Sequence, residues 1–162
     1  MNKGNYGFSS PPNAPTRLSP SEWKSVKAYI KAGTYNDFIV PNNVYQIMVC
    51  VWGAGGSGAL GNTGFYPRGG DGGGYAQGII DVIPGQKLPT ITVGLGGATT
   101  INNGGSVAGN SGGTSSFGSL LTATGGAGGL VNSNSAGSGG TGTASSSLRQ
   151  AFTATGGRGG HS

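Results

Sequence analysis

Apolar and polar positions alternate along several stretches of this chain, and glycine fills the gaps between them. Tyr35 to Val40 alternates and stops at Pro41. Val44 to Trp52 is apolar at nearly every position and rich in β-branched side chains, which predicts a strand buried on both faces. Tyr75 to Ile83 reads as a strand ending at Pro84-Gly85, a pair suited to a type II turn. Leu88 to Val93 alternates again, and Pro89 near its start marks a sheet edge. Two further strands are expected near Ser116–Thr124 and Leu148–Thr155. Closer to the N-terminus two periods overlap. Ser19-Pro20-Ser21-Glu22 has the form of a helix start, with serine as N-cap, proline at N1 and glutamate closing a capping box. Trp23, Val26 and Ile30 would line one helical face and Gly33 would end it. Val26, Ala28 and Ile30 also alternate with Lys27, Tyr29 and Lys31, a strand period. The reading adopted is a short helical turn near 20–25 followed by a strand near 27–31.

Composition changes the picture after Trp52. The chain holds 37 glycines in 162 residues, and only Gly4, Gly7 and Gly33 precede Gly53. Glycine-rich arcs separate the predicted strands at 53–74, 94–113, 125–142 and 156–162. Each glycine ordered in a regular element costs roughly 0.5–1 kcal/mol relative to alanine, so the arcs are either disordered or use their bare backbones for close packing. The first arc favours packing. Gly55, Gly58, Gly61, Gly64, Gly70 and Gly73 fall on one period of three, and Pro67 takes the remaining slot. A polyproline-II helix has three residues per turn and no internal hydrogen bonds. Such a ridge would let neighbouring arcs approach and supply partners for one another's N–H and C=O groups. Collagen is a poor fit, because proline is scarce and the later arcs lose the phase. Leu121-Thr-Ala-Thr-Gly-Gly-Ala-Gly-Gly129 is echoed by Phe152-Thr-Ala-Thr-Gly-Gly-Arg-Gly-Gly160, and two copies do not make a solenoid. Residues 1–18 are polar and contain Pro11, Pro12 and Pro15, so they read as an extended arm. The division predicted is an arm over 1–34 and a glycine-rich β domain over 35–162.

Charge and chemistry narrow the function. Charged residues are 8% of the chain, against about 25% in average usage. One histidine, one glutamate and three aspartates leave little for catalysis, and no enzyme activity, metal or cofactor is expected. The single cysteine, Cys50, cannot staple a disulfide scaffold. It shares a predicted strand face with Met48, read as core, and Trp52 is read as core or as a lid on the glycine arcs. Met-Asn-Lys-Gly-Asn-Tyr has no apolar stretch behind its lysine, so no signal peptide is expected. The apolar run 44–52 is far too short to span a bilayer. The net charge of +5 is modest, and Lys24, Lys27 and Lys31 at helical spacing read as a solvated face.

Tempting motifs fail on context. Gly53-Ala-Gly-Gly-Ser-Gly58 matches the dinucleotide fingerprint, but the residues that follow cannot hold the helix it needs. Gly109-Asn-Ser-Gly-Gly113 matches a nucleophile elbow without the strand, helix or histidine partner that elbow requires. Gly69-Gly-Asp-Gly-Gly73 has one acid and no second copy, too little for a calcium-binding repeat. Arg68-Gly-Gly and Arg158-Gly-Gly are isolated RGG matches; a nucleic-acid role would require disordered arcs.

The order of segments resembles the glycine-rich domain of bacteriophage tail-fibre and tail-tip proteins. Phe38-Ile-Val-Pro-Asn-Asn-Val44 leads into an apolar strand ending Trp52-Gly-Ala-Gly-Gly56. Gly72-Gly-Gly-Tyr-Ala76, Val82-Ile-Pro-Gly-Gln86, Ile91-Thr-Val-Gly-Leu-Gly-Gly97, Ser115-Ser-Phe-Gly118 and Gly125-Gly-Ala-Gly-Gly129 follow in the family's order. The match covers about 35–160, and the arm has no counterpart in it. The resemblance implies an all-β, jelly-roll-like β-sandwich whose glycine inserts gather as polyglycine-II helices. It also implies a structural virion protein, synthesised in the host cytoplasm and contributing to host attachment. Residues 1–34 would dock on other virion proteins, and a homo-oligomer is expected, with a trimer favoured. Arc tips bearing Phe65, Tyr66, Arg68, Asn102 and Asn103 are the candidate contacts for a host glycan or protein. A purely structural collar or fibre piece with no host contact is the alternative.

Overall fold

The computed structural model describes residues 25–62, 64, 66–101, 104–131 and 137–160. Apart from Ser25, the helical turn expected near 20–25 lies outside them, as does Trp23. Among the described residues the chain is all-β, with eight strands: β1 (Gly33–Tyr35), β2 (Gln46–Trp52), β3 (Tyr75–Asp81), β4 (Ile91–Val93), β5 (Ser115–Phe117), β6 (Leu121–Ala123), β7 (Gly142–Ala144) and β8 (Gln150–Ala154). They form a five-stranded sheet in the order β1-β4-β5-β6-β7 and a three-stranded sheet in the order β2-β3-β8. Every pairing is antiparallel. β2 packs over β5 and β6, and β3 packs over β6 and β7, which makes a sandwich-like arrangement.

Val40, Val51, Ala76, Val82, Leu88, Phe117, Leu121 and Ala123 form the buried core. Burying each large apolar side chain contributes about 1.5–3 kcal/mol. Gly78 lies on the inner face of β3, where a methyl group would press on Leu148 Cδ1. Glycine there lets the two sheets close over Leu148 and Leu121.

Several expectations need correction. Residues 27–31 form no strand, and β1 begins at Gly33, inside the segment assigned to the arm. The reason is local. The Tyr29 ring packs on Tyr35 at 4.8 Å, Lys27 Nζ lies 5.5 Å from the Tyr29 ring, and the Tyr35 hydroxyl donates to the Lys31 carbonyl at 2.6 Å. The segment folds on its own tyrosines and leaves Val26 and Ile30 exposed. Of Tyr35–Val40, only Tyr35 joins a ladder, and Ile39 makes an isolated bridge to Lys87. The single strand expected over 116–124 is a hairpin, because Gly118 takes φ +51° and the Leu120 N–H bonds to the Phe117 carbonyl at 3.0 Å. β7 begins at the last residue of the expected third arc and continues where no strand was expected. The Pro84-Gly85 turn forms, with Gly85 at φ +78° and the Gln86 N–H on the Ile83 carbonyl at 2.9 Å.

The strand from Val44 to Trp52 is not buried on both faces. Val51 is buried, and Ile47 and Val49 pack against the core with it. On the opposite face Met48 is 43% exposed and Trp52 64% exposed. Met48 and Cys50 do share a face, but it is the outer one. Trp52 is therefore not core.

Candidate functional site: the glycine bundle and its tips

β2, β4, β6 and β8 each run into a glycine arc, and β3, β5 and β7 each return from one. The arcs at 53–74, 94–114, 124–141 and from 155 onward therefore gather at one end. Their backbones bond to one another in steps of three. N–H groups of Gly53, Gly56 and Ala59 donate to carbonyls of Gly74, Asp71 and Arg68, all at 2.9 Å. N–H groups of Ala54, Ser57 and Leu60 donate to Gly113, Asn110 and Val107 at 2.8–3.1 Å. The returning limb repeats the rule: Arg68, Asp71 and Gly74 donate to Leu130, Ala127 and Thr124, while Gly69 and Gly72 donate to Gly160 and Gly157. A step of three is the repeat of a helix with three residues per turn.

Glycine is needed here for closeness. A methyl group on Gly53 would overlap the Thr124 carbonyl, on Gly56 the Ala127 carbonyl, and on Gly126 the Asp71 carbonyl. None of these residues has a positive φ, which is found instead at turns such as Gly64 and Gly104. The ridge predicted over the first arc is divided by this arrangement. The arc doubles back at Gly64, so Gly55, Gly58 and Gly61 lie on the outgoing limb and Gly70 and Gly73 on the returning one. Methyl groups on Gly70 and Gly73 would overlap the carbonyls of Gly56 and Gly53, whereas Gly55 and Gly58 have only ordinary clearance. The closely packed outgoing residues are Gly53 and Gly56, in a different phase. Counting by three along the sequence cannot see the reversal that changes the partners.

One side-chain device stands inside this backbone network. Arg68 and Asp71, three residues apart, are 8% and 3% exposed. Arg68 Nη2 donates to the Gly159 carbonyl at 3.3 Å, and the Gly159 N–H donates to Asp71 Oδ1 at 2.6 Å. Both polar groups of one glycine in the last arc are thus held by two side chains on consecutive turns. The Asp71 carboxylate also lies where a side chain on Gly137 would stand. Sequence reading met Asp71 only in motifs that failed, as the acid of the dinucleotide fingerprint and of the calcium-binding repeat. It took Arg68 as an outward contact, and that is corrected here, since burial turns its guanidinium into the bundle. No sequence signal marked the pair beyond its spacing of three.

The other candidates fall as follows. Tyr66 is 67% exposed near the turn of the first arc. Phe65, Asn102 and Asn103 lie outside the described residues. Asn62 ties the ends of the first two arcs together: its N–H donates to Ser106 Oγ at 3.2 Å and its side-chain amide to the Gly104 carbonyl at 3.3 Å. Asn62 of the first arc is thus a neighbour of Gly104 and Ser106 of the second. A second exposed group was missed by sequence reading. Trp52 and Tyr75 meet at 5.1 Å between ring centres, Tyr75 and Phe152 at 6.1 Å, on the outer face of the small sheet. The Tyr75 hydroxyl donates to Gln77 Oε1 at 2.7 Å, and Gln77 Nε2 donates to Met48 Sδ at 3.1 Å. Burial, and then Cys50 beside it, push the Tyr75 phenol up to about 12.

Among the described residues no three His, Cys, Asp or Glu side chains gather as metal ligands, and no helix is long and apolar enough to cross a membrane. A comparison with curated proteins finds no match. The family model described as a glycine-rich domain matches residues 30–162, which takes in every strand and every arc. The chain belongs to this glycine-rich domain family.

Proposed function

We propose that the protein is a non-enzymatic structural component of a tailed-bacteriophage virion, a fibre, tip or decoration protein, and that the far end of its glycine bundle contributes to host attachment. The observation that carries this reading is the arc bundle itself. Its cohesion comes from backbone hydrogen bonds and glycine contacts, so the turns at its far end are released from any role in the core and can carry contact side chains. Tyr66 is the contact candidate among the described residues; Phe65, Asn102 and Asn103 remain candidates from the sequence. Residues 1–34 serve as the attachment to other virion proteins, and the mature protein resides in the virion.

Immunogold labelling of phage particles with antibody to this chain tests the placement; gold on the tail is expected, and particles without label overturn it. Purified protein added before infection tests attachment. It should slow phage adsorption, and Tyr66→Ala should weaken that competition. Tail labelling without competition supports instead a collar or fibre piece that never touches the host. The nucleic-acid reading is disfavoured, because Arg68 of the first RGG match is buried and hydrogen-bonded to the Gly159 carbonyl.

A further inference from the structure

We propose that the outer face of the three-stranded sheet is a binding platform for a neutral saccharide, stacked on Trp52, Tyr75 and Phe152 and hydrogen-bonded through Gln77. The strand registers bring these side chains together. Trp52 pairs with Tyr75 and Cys50 with Gln77 across β2 and β3, and Gln77 pairs with Phe152 across β3 and β8. The three rings form a row over three adjacent strands, with centres 5.1 and 6.1 Å apart and planes tilted by 49° and 55°. Trp52 is 64% exposed and Phe152 60%, so both ends of the row stand open. The solvated face of an antiparallel sheet is ordinarily polar, and this one is aromatic where it meets the glycine bundle.

Size, charge and polarity together select a sugar. Three strands about 4.8 Å apart and the four residue steps from Met48 to Trp52 span roughly 10 by 14 Å. That footprint is well under the ~800 Å² per partner that a stable protein interface buries, so it suits a small ligand and neither a second copy nor another folded protein. The side chains beside the rings, Met48, Cys50, Gln77 and Ile79, are all neutral. Asp81 and Arg149, at the other end of β3, pair with each other at 3.4 Å. A single-stranded nucleic acid needs a cationic track beside its stacking rings, and the described residues of this face supply none. The Gln77 amide has two N–H groups and two lone pairs. The Tyr75 hydroxyl takes one lone pair at 2.7 Å and Met48 Sδ takes one N–H at 3.1 Å. One donor and one acceptor remain beside the rings, and a hydroxyl group can pair with both. An apolar ligand would strip water from that amide without replacing its hydrogen bonds. A pyranose meets both demands: the weakly positive C–H bonds of its face lie on the negative faces of the aromatic rings, and its rim hydroxyls reach Gln77.

Titration of isotope-labelled protein with short neutral oligosaccharides of glucose, galactose and N-acetylglucosamine, followed by two-dimensional NMR, provides the test. At least one series should shift the Trp52 indole N–H and the Gln77 side-chain amide, with a dissociation constant in the micromolar to millimolar range. These wild-type shifts locate the site without any substitution. Trp52→Ala and Phe152→Ala, both at exposed positions, should each weaken binding roughly tenfold while the backbone spectrum stays folded. Gln77→Ala should weaken it as well. The inference does not depend on the virion reading, and Tyr66→Ala separates the two: it should leave sugar binding at the sheet unchanged. The proposal is overturned if no sugar shifts these signals, if the shifts centre on the far end of the bundle, or if both Trp52→Ala and Phe152→Ala keep the wild-type affinity. An oligothymidylate that binds the same face more tightly than any of the sugars overturns it too.

Discussion

A buried carboxylate that accepts a backbone N–H is a stronger anchor than the neutral bonds around it, because charge-assisted hydrogen bonds are shorter and stronger. Asp71 Oδ1 accepts from Gly159 at 2.6 Å, shorter than the backbone bonds between the arcs. Asp71→Ala leaves that N–H without its partner, at a cost of about 1–3 kcal/mol. The opening is expected to be local. Hydrogen exchange should show the amides of Gly156 and Gly159 exchanging roughly tenfold faster or more, with β2 and β3 unchanged. Asp71→Asn keeps a carbonyl acceptor and should lose less. Tyr75 supplies a second expectation. An unfolded tyrosine ionises near 10, whereas burial holds the Tyr75 proton to about 12. Between those values the native state binds more protons than the unfolded state, so stability falls as pH rises. Below pH about 10 that contribution is fully present. Urea melts at pH 9 and 11 should show this loss in the wild type and a shallower one in Tyr75→Phe.

At the scale of elements, arcs obey a packing rule that strands do not. Two glycines separate the effects. A methyl group on Gly126 would overlap the Asp71 carbonyl, while one on Gly157 meets open space. Gly126→Ala should therefore cost about 1–3 kcal/mol or more through overpacking, and Gly157→Ala should stay within about 0.5 kcal/mol; thermal melts of the two variants decide it. The same contrast explains what the sequence could disclose. Strand periods marked β2, β3, β4 and β8, and Pro84-Gly85 marked its turn, because both signals are local. β7 was hidden because Gly142-Thr-Ala144 becomes a strand only by pairing with β6. The outward face of β2 was illegible because an apolar residue looks the same whether core or an uncovered sheet face lies above it. Arg68 was misplaced because its burial depends on Gly159, 91 positions away.

For the whole molecule, the remaining question is where the domain begins. Sequence composition places the boundary after residue 34, yet β1 crosses it. Gly33, Thr34 and Tyr35 pair with Val93, Thr92 and Ile91, and Tyr35 is packed by Tyr29. The family match, which starts at residue 30, agrees with a boundary upstream of β1. A chain starting at Ser25 retains all of these contacts and should melt at the temperature of the full protein. A chain starting at Asn36 loses β1, strips the ladder from the outer edge of β4 and uncovers Ile91, which packs against the core. A loss of about 2 kcal/mol would lower Tm by roughly 4–8 °C at this size. If 1–34 is the attachment to the particle, both shortened chains fail to enter virions. Only the one starting at Asn36 would also be less stable, which separates a docking role for the arm from a folding role for β1.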